Sequence, residues 1–410
     1  MPRPETGQRA SFGDVLRVAE FRVLLLAQAQ SRAGDQLARV ALAVLVFSRT
    51  ASATLTAVAY ALTYLPPLLT APLLAGLADR YPRRTVMVVV DLVRAVLVAL
   101  MTIPGLPLLA VGALLVLLTC PQPLFSAARN ATIPAVLAGD RFPVGMSVVS
   151  TADFIAQIAG FTLGGTVVAV LGGPHVALGI DAVTYLISAG LIRRGIVLRR
   201  PATVLRRPAA TASAARRTGG SALSGVSLMA RDRQLIGLAS LMWLYGFYLA
   251  PTALAAPYAH QIGASRAVVG ILMAADLPGA IVGAVLVARV PPALRHRLTM
   301  PLAIVTGLPL LATAMAPSVP VTVLLWAASG ALSSYLTLAQ VAITRAIPDA
   351  IRARTVGVVS AGLQTAQGLG ILLSGAVSAV MSPAASIAVC AAAGSFGAVL
   401  ISFWLRSGGR

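Results

Sequence analysis

The amino-acid sequence predicts an all-α polytopic membrane protein: twelve transmembrane helices in two pseudo-symmetric bundles of six. Three observations carry this reading. Of 410 residues, 58% are hydrophobic and only 11% charged, against roughly 25% charged in soluble domains. Apolar runs of about 20 residues, enough to cross a ~30 Å hydrocarbon core, recur along the whole chain. The arginines gather between alternate runs. No alternating ten-residue pattern is present, which argues against an outer-membrane barrel.

The spans follow in order, bounded by proline, glycine and charge. Span 1 (21–47) follows the polar opening "MPRPETGQRASFGDVLRVAE" and is too long for a signal core, so no cleavable signal peptide is expected. Span 2 (53–75) has no charge and ends at "ADRYPRR". Span 3 (85–103) carries Asp91 and Arg94. Span 4 (106–128) starts beyond the turn "PGLP", and span 5 (146–171) carries Asp153. Span 6 (175–192) begins after "LGGPH" and carries Asp181. Beyond the longest connection come span 7 (234–257), rich in aromatics, and span 8 (266–288), entered through "HQIGAS". Span 9 (299–316), span 10 (319–343), span 11 (355–380) and span 12 (384–405) complete the set, with the short turns "APSVP" and "MSPAAS" among them.

Orientation follows from the arginines. All 32 basic residues are arginine. With the N-terminus in the cytoplasm, 27 of them lie on that side and only Arg49 and Arg266 lie outside, while Arg32, Arg39 and Arg94 are within spans. This is the positive-inside pattern of a multi-pass protein of the cytoplasmic (inner) membrane with both termini inside. The chain then divides into an N-terminal half (1–192), an Arg-rich cytoplasmic linker (193–233) and a C-terminal half (234–410). The net charge of +20 resides in loops facing lipid head groups, and no nucleic-acid partner is expected. Cys120 and Cys390 lie in apolar runs without ligand spacing, so neither a metal nor another cofactor is expected. An offset of 210 residues aligns Ser150, Gln157, Gly160, Leu163 and Gly165 of span 5 with Ser360, Gln367, Gly370, Leu373 and Gly375 of span 11, as a six-plus-six repeat requires.

The loop after span 2, "AGLADRYPRRTV", places Asp79, Arg80, Arg83 and Arg84 between two apolar runs. With the central linker and the twelve runs, it resembles the major facilitator superfamily over the whole chain. Segments such as "FRVLLLAQAQSRAGDQLARVALAVLVF" and "RNATIPAVLAGDRFPVGMSVVS" resemble the branch of enterobactin exporters and macrolide-efflux proteins. The superfamily's loop motif is roughly G-x-L-A-D-R-x-G-R-R. Here Ala75 takes the first glycine slot, with Gly76 one place late, and Pro82 takes the second.

The resemblance places Asp79 opposite the N-terminus of span 11, where a carboxylate gains roughly 0.3–1 kcal/mol from the helix dipole. Gly76, Asp79, Arg80, Arg83, Arg84 and Arg129, with Asp91 and Arg94 as a supporting local ion pair, then form a latch that closes the cytoplasmic side; the plainer reading is a topology anchor. The branch's antiporter signature, roughly G-P-x-x-G-G, reads "GFTLGG" here. Gly160, Gly164 and Gly165 keep the packing surface, while Phe161 replaces the proline and its kink.

Ionisable groups within a span are functional candidates by default. Arg32, Asp35 and Arg39, spaced three and four apart, share one face of span 1. Asp35 is either a proton-binding carboxylate, poised between desolvation and the flanking arginines, or one member of a static, neutralised triad. Asp153 and Asp276 have no local basic partner and are candidates for a proton or a cationic substrate. Pro278 and Gly279 are expected to break span 8 beside Asp276. Trp243 and Tyr245 are candidate aromatic walls for an amphipathic substrate. Gln28, Gln157, Gln364 and Gln367 are expected to face the bundle interior.

A chain without lysine cannot carry G-x-x-x-x-G-K-[ST], so an ion gradient is the expected energy source. A membrane enzyme would need paired acids, an H-E-x-x-H helix or a nucleophile with its base, and His175, His260 and His296 are isolated. The expectation is therefore a non-enzymatic secondary transporter, working as a monomer, that exports a small amphipathic molecule in exchange for protons. Import or uniport by the same fold stays open, as does the identity of the substrate.

Overall fold

The computed structural model describes residues 11–199, 232–315, 318–347 and 349–407. Every element among them is helical. Ten helical stretches are long and apolar enough to cross a membrane. Two more helices, Ala19–Thr50 and Arg83–Met101, coincide with spans 1 and 3. Their composition is less apolar because they hold Arg32, Asp35, Arg39, Asp91 and Arg94.

Several spans are interrupted, mostly where proline dictates. Span 2 is Ala53–Ala61 followed by Leu65–Arg80, whose first turn contains Pro66 and Pro67. Proline lacks the N–H that an unbroken helix would use, but is tolerated in a first turn. Pro121 likewise separates Leu108–Thr119 from Gln122–Val136 in span 4. Span 7 is the most divided: Arg233–Trp243, a 3₁₀ stretch Leu244–Leu249, then Ala250–Ala253 and Ala255–Gln261 around Pro251 and Pro257. Span 10 breaks without proline, between Val319–Leu332 and Tyr335–Ala346. There the Ser333 hydroxyl donates to the Gly330 carbonyl at 2.6 Å, a side-chain bond that competes with the helical ladder. The turn between spans 5 and 6 runs through Gly172 and Gly173 at φ 105° and 93°, a conformation that favours glycine.

Two boundaries differ from the sequence expectation. The helix of span 6 runs Pro174–Gly195, and Arg199 pairs with Glu20 at 2.7 Å, so residues 193–199 belong to the first bundle rather than to the linker. At the other end Asp232 caps the helix beginning at Arg233, accepting from the Gln234 and Leu235 amides at 2.9 and 3.1 Å. Residues 200–231, the body of the expected linker, lie outside the described residues.

The described chain forms two compact units. One contains residues 11–38, 69–160 and 175–199. Its core includes Phe21, Met87, Ile133 and Ile192, all at most 1% exposed. The other contains residues 39–68, 161–174 and the described residues from 232 onward. The ends of spans 1, 2 and 5 away from the Arg-rich loops are thus packed with spans 7–12. Absent side chains permit that packing: a Cβ at Gly165 would collide with the Ala267 carbonyl oxygen, and one at Gly270 with the Phe161 carbonyl oxygen. The Thr54 hydroxyl donates to the Gly375 carbonyl at 2.7 Å, Leu65 fills the space above Gly368, and the Phe47 and His260 rings meet edge-on with centroids 5.4 Å apart.

The 210-residue offset has a physical counterpart in these glycines. Gly160 sits against the Ala33 carbonyl of span 1, and its repeat partner Gly370 against the Gly246 carbonyl of span 7. Each of these contacts joins two spans of the same six-helix half. Gly165 meets span 8, and its partner Gly375 meets Thr54 and Ala57 of span 2, so each of these contacts joins spans of different halves. The same residue type at the same repeat position makes equivalent contacts in both.

Candidate functional site

Span 1 delivers Asp35 into the first unit, where side chains of spans 3 and 6 meet it. The Tyr185 hydroxyl of span 6 donates to Asp35 Oδ1 at 2.5 Å. Arg94 Nη2 of span 3 lies 3.7 Å from the same oxygen, with its guanidinium 4.5 Å from the centre of the Tyr185 ring. The Asp35 side chain is 15% exposed and that of Arg94 7%. This corrects the expected Asp91–Arg94 pair, because Arg94 turns across the bundle to span 1. Asp91 instead accepts a 2.6 Å hydrogen bond from the Ser188 hydroxyl.

Asp181, one turn from Tyr185, completes the group. It is buried and accepts from the Thr184 hydroxyl at 3.2 Å. Gly34 makes the approach possible, since a Cβ there would strike Thr184 and Asp181. Gln30 donates to the Thr184 carbonyl at 2.8 Å. Asp91 Oδ1, Asp181 Oδ2 and Arg94 Nε are buried and make no hydrogen bond among the described residues. Three carboxyl groups, those of Asp91 and Asp181 buried and that of Asp35 nearly so, therefore gather about one guanidinium. In a low dielectric such a group is stable only when its charges balance, so changes in its proton content carry a large energetic weight.

A second group in the same unit surrounds Asp153. Gln28 Nε2 donates to Asp153 Oδ1 at 3.2 Å, and Arg129 lies within electrostatic reach of Asp153 and Arg32. Arg129, expected at the latch, also holds Asn130 Oδ1 through Nε and Nη2 at 3.2 and 3.0 Å. Gln157 donates to the Asp153 carbonyl on its own helix at 3.2 Å.

The second unit holds the remaining candidates. The Arg39 guanidinium stands 5.2 Å from the Tyr64 ring centre and 5.8 Å from that of Tyr60, a cation–π arrangement. Arg39 thus contacts span 2 through both tyrosines. Asp276 is half-buried and interacts electrostatically with Tyr60 and Tyr245. The break in span 8 falls at Ala275, a turn earlier than expected; Pro278 and Gly279 lie inside the helix Asp276–Arg289. Gly279 serves close packing, since a Cβ there would collide with the Ala327 carbonyl. Trp243 is a packing residue: its Nε1 donates to the Val359 carbonyl at 3.2 Å, and its ring covers Gly362. Gln364 is exposed and Gln367 half-buried.

Of the expected latch, Gly76 and Asp79 lie in the helix Leu65–Arg80, with the Asp79 side chain outside the described residues. Arg80 is exposed. Arg83 donates to the Ala131 carbonyl at 2.5 Å and Arg84 to that of Ile196 at 3.2 Å, tying span 3 to spans 4 and 6. Cations suit such carbonyl ends of helices.

Twelve apolar runs and buried ionisable side chains within membrane-spanning helices are the marks of a membrane carrier. The sequence model of the transmembrane secretion effector family, within the major facilitator superfamily, matches residues 11–407. The chain belongs to this family. It is a major facilitator transporter by family and by fold.

Solved transporters share the fold. A POT family transporter in complex with 5-aminolevulinic acid is 11% identical, with a TM-score of 0.75 and 97% of each chain covered. The nucleoside transporter NupG is 15% identical, with a TM-score of 0.70, covering 94% of this chain and 99% of that one. A bacterial homologue of the human lysosomal transporter Spinster, in an inward-facing and occupied conformation, is 13% identical, with a TM-score of 0.69 and coverage of 94% and 93%. At these identities the likeness is one of fold. No match was found among curated protein sequences.

The cluster about Asp35 includes residues that sequence spacing did not single out. Tyr185 reads as an ordinary core aromatic, and Ser188, Thr184 and Gly34 as helix packing. Their signal was positional: Asp181, Tyr185 and Ser188 lie four and three apart, on one face of span 6.

Proposed function

We propose that this transporter exports a small amphipathic compound across the cytoplasmic membrane in exchange for protons, with Asp35 as the coupling carboxylate. The observation that carries the reading is the Asp35–Tyr185–Arg94 cluster with Asp91 and Asp181 beside it. A proton bound by Asp35 frees Arg94 to turn towards Asp91 or Asp181, and its loss restores the pair. Spans 1, 3 and 6 then have two arrangements that differ by one proton. Export is supported by the family's description as secretion effectors, and by the resemblance to enterobactin exporters and macrolide-efflux proteins. Alternating access rocks the two sequence halves about a midplane site, and the packed ends of spans 1, 2, 5, 7, 8 and 11 form the outer closure. Within the second unit, Asp276 with Tyr60 and Tyr245 supplies a polar contact for the substrate; Asp153 with Gln28 is a separate candidate in the first unit. The transporter works as a monomer with both termini in the cytoplasm. One proton moving down 100 mV supplies about 2.3 kcal/mol.

The test is proton release from acid-loaded inverted vesicles on addition of a panel of amphipathic compounds. Release that follows one compound and saturates with its concentration is the expected result. Accumulation of compounds in inverted vesicles with no accompanying proton flux would remove antiport.

The latch belongs to the same proposal: Asp79 at the inner end of span 2 holds the cytoplasmic side closed in outward-facing states. Asp79→Asn is expected to lower the outward-to-inward ratio by about two- to fivefold, the worth of ~0.3–1 kcal/mol at a helix N-terminus. Cysteine accessibility from the two sides reads that ratio, and an unchanged value would leave the loop a topology anchor.

A further inference from the structure

A cavity of about 380 Å³ lies among spans 7, 8, 9, 10 and 12, at their Arg-rich ends. It is separate from every group assigned to transport above. Its polar lining includes Arg295, His296 and Arg345, and among the described residues no acidic side chain lines it. Its apolar lining includes Val287, Leu338 and Val341. Arg295 is held in place, donating from Nε to the Val290 carbonyl at 2.9 Å and from Nη2 to the Ala288 carbonyl at 2.8 Å. It closes the C-terminal end of the span 8 helix and adds a fixed positive charge at the mouth. His296 and Arg345 are exposed beside it.

We propose that this cavity binds one anionic phospholipid, with its phosphate at Arg295, His296 and Arg345 and an acyl chain along Leu338 and Val341. Charge selects the ligand. A pocket whose described charged groups are all basic, at the Arg-rich ends of its spans, attracts an anionic head group over a zwitterionic one. The apolar wall selects a lipid over a free phosphate, because it offers a small anion nothing. The span 10 lining of the cavity comes from Tyr335–Ala346 alone, so an occupant braces that helix against spans 8 and 9.

Native mass spectrometry of the full-length protein tests this, using phosphatidylglycerol and phosphatidylcholine with identical acyl chains. Phosphatidylglycerol is expected to be retained about tenfold better. Arg345→Gln removes an exposed charge without disturbing the Arg295 backbone bonds, and is expected to reduce retention about fivefold, the worth of one arginine at a lipid surface. Val341→Trp fills the apolar wall without altering charge and is expected to reduce it at least as much. Equal retention of the two lipids by the wild type would overturn the proposal. So would wild-type retention by Val341→Trp, or displacement of the lipid by an equal concentration of inorganic phosphate. The readout requires no transport, so it stands or falls apart from the exporter assignment.

Discussion

Asp35→Asn is expected to abolish substrate-driven proton release, to below about 5% of wild type, while the protein still folds and binds substrate. Asparagine keeps the shape of the side chain and still accepts from the Tyr185 hydroxyl, whose 2.5 Å bond ends on Asp35 Oδ1. It cannot exchange a proton. Removing one partner of a buried ion pair costs about 3–5 kcal/mol when the other is left uncompensated. Here Arg94 retains Asp91 and Asp181 within electrostatic reach, so a smaller loss of stability is expected, read as a shift of a few degrees in thermal unfolding in detergent. Downhill substrate movement without protons is the signature of uncoupling. Asp91→Asn gives the contrast, since Asp91 is buried behind Ser188 and 0% exposed; its loss is expected to slow exchange while leaving it coupled. If Asp35→Asn released protons at the wild-type rate, the coupling group would have to be Asp153 or Asp276.

How far the sequence made this site legible follows from the range of each signal. Asp35 was visible because a charge inside an apolar run is costly wherever it sits. Its partners were not, because helix spacing reports only neighbours on the same helix. That rule assigned Arg32 and Arg39 to Asp35, and Arg94 to Asp91. In the bundle, burial outweighs proximity along the chain: Arg94 reaches Asp35 on span 1 and stacks on Tyr185 of span 6, while Arg39 stacks on the tyrosines of span 2.

Helix breaks followed the same division. Those at Pro66–Pro67 and Pro121 could be read from the missing N–H, whereas the break at Ser333–Ser334 depends on a side-chain bond that serine makes in some helices and not in others. Expecting a break at Pro278–Gly279 overlooked the tolerance of a first helical turn for proline and the use of glycine for close approach. The repeat was the most informative long-range signal. An offset of 210 residues pairs Gly160 with Gly370 and Gly165 with Gly375, and these pairs make corresponding contacts.

That correspondence leads to the second large effect. Gly165→Val is expected to hold the transporter outward-open, with transport below about 5% of wild type, whereas Gly160→Val is expected to lower stability without shifting the conformational balance. The two glycines lie five residues apart on one helix, and both would drive a Cβ into a backbone carbonyl. The difference is what each collision opposes. At Gly160 it opposes packing on Ala33, within one six-helix half, in every state of the cycle. At Gly165 it opposes packing on Ala267 and Gly270 of span 8, which in the proposed cycle is a contact made only when the outer ends are closed.

Overpacking costs about 1–3 kcal/mol. Placed on one state of a two-state carrier, that shifts the equilibrium about 5- to 150-fold. The shift is measurable at Val269→Cys, a 3% exposed position beside the outer closure, after the two free cysteines, Cys120 and Cys390, are replaced. Labelling from outside is expected to be at least tenfold faster with Gly165→Val and unchanged with Gly160→Val. Gly375→Val, the repeat partner that packs on Thr54 and Ala57, is expected to reproduce Gly165→Val, and Gly370→Val to reproduce Gly160→Val. Equal labelling across all four would mean that both glycine pairs serve only to hold the helices together, and that the outer ends do not part during transport.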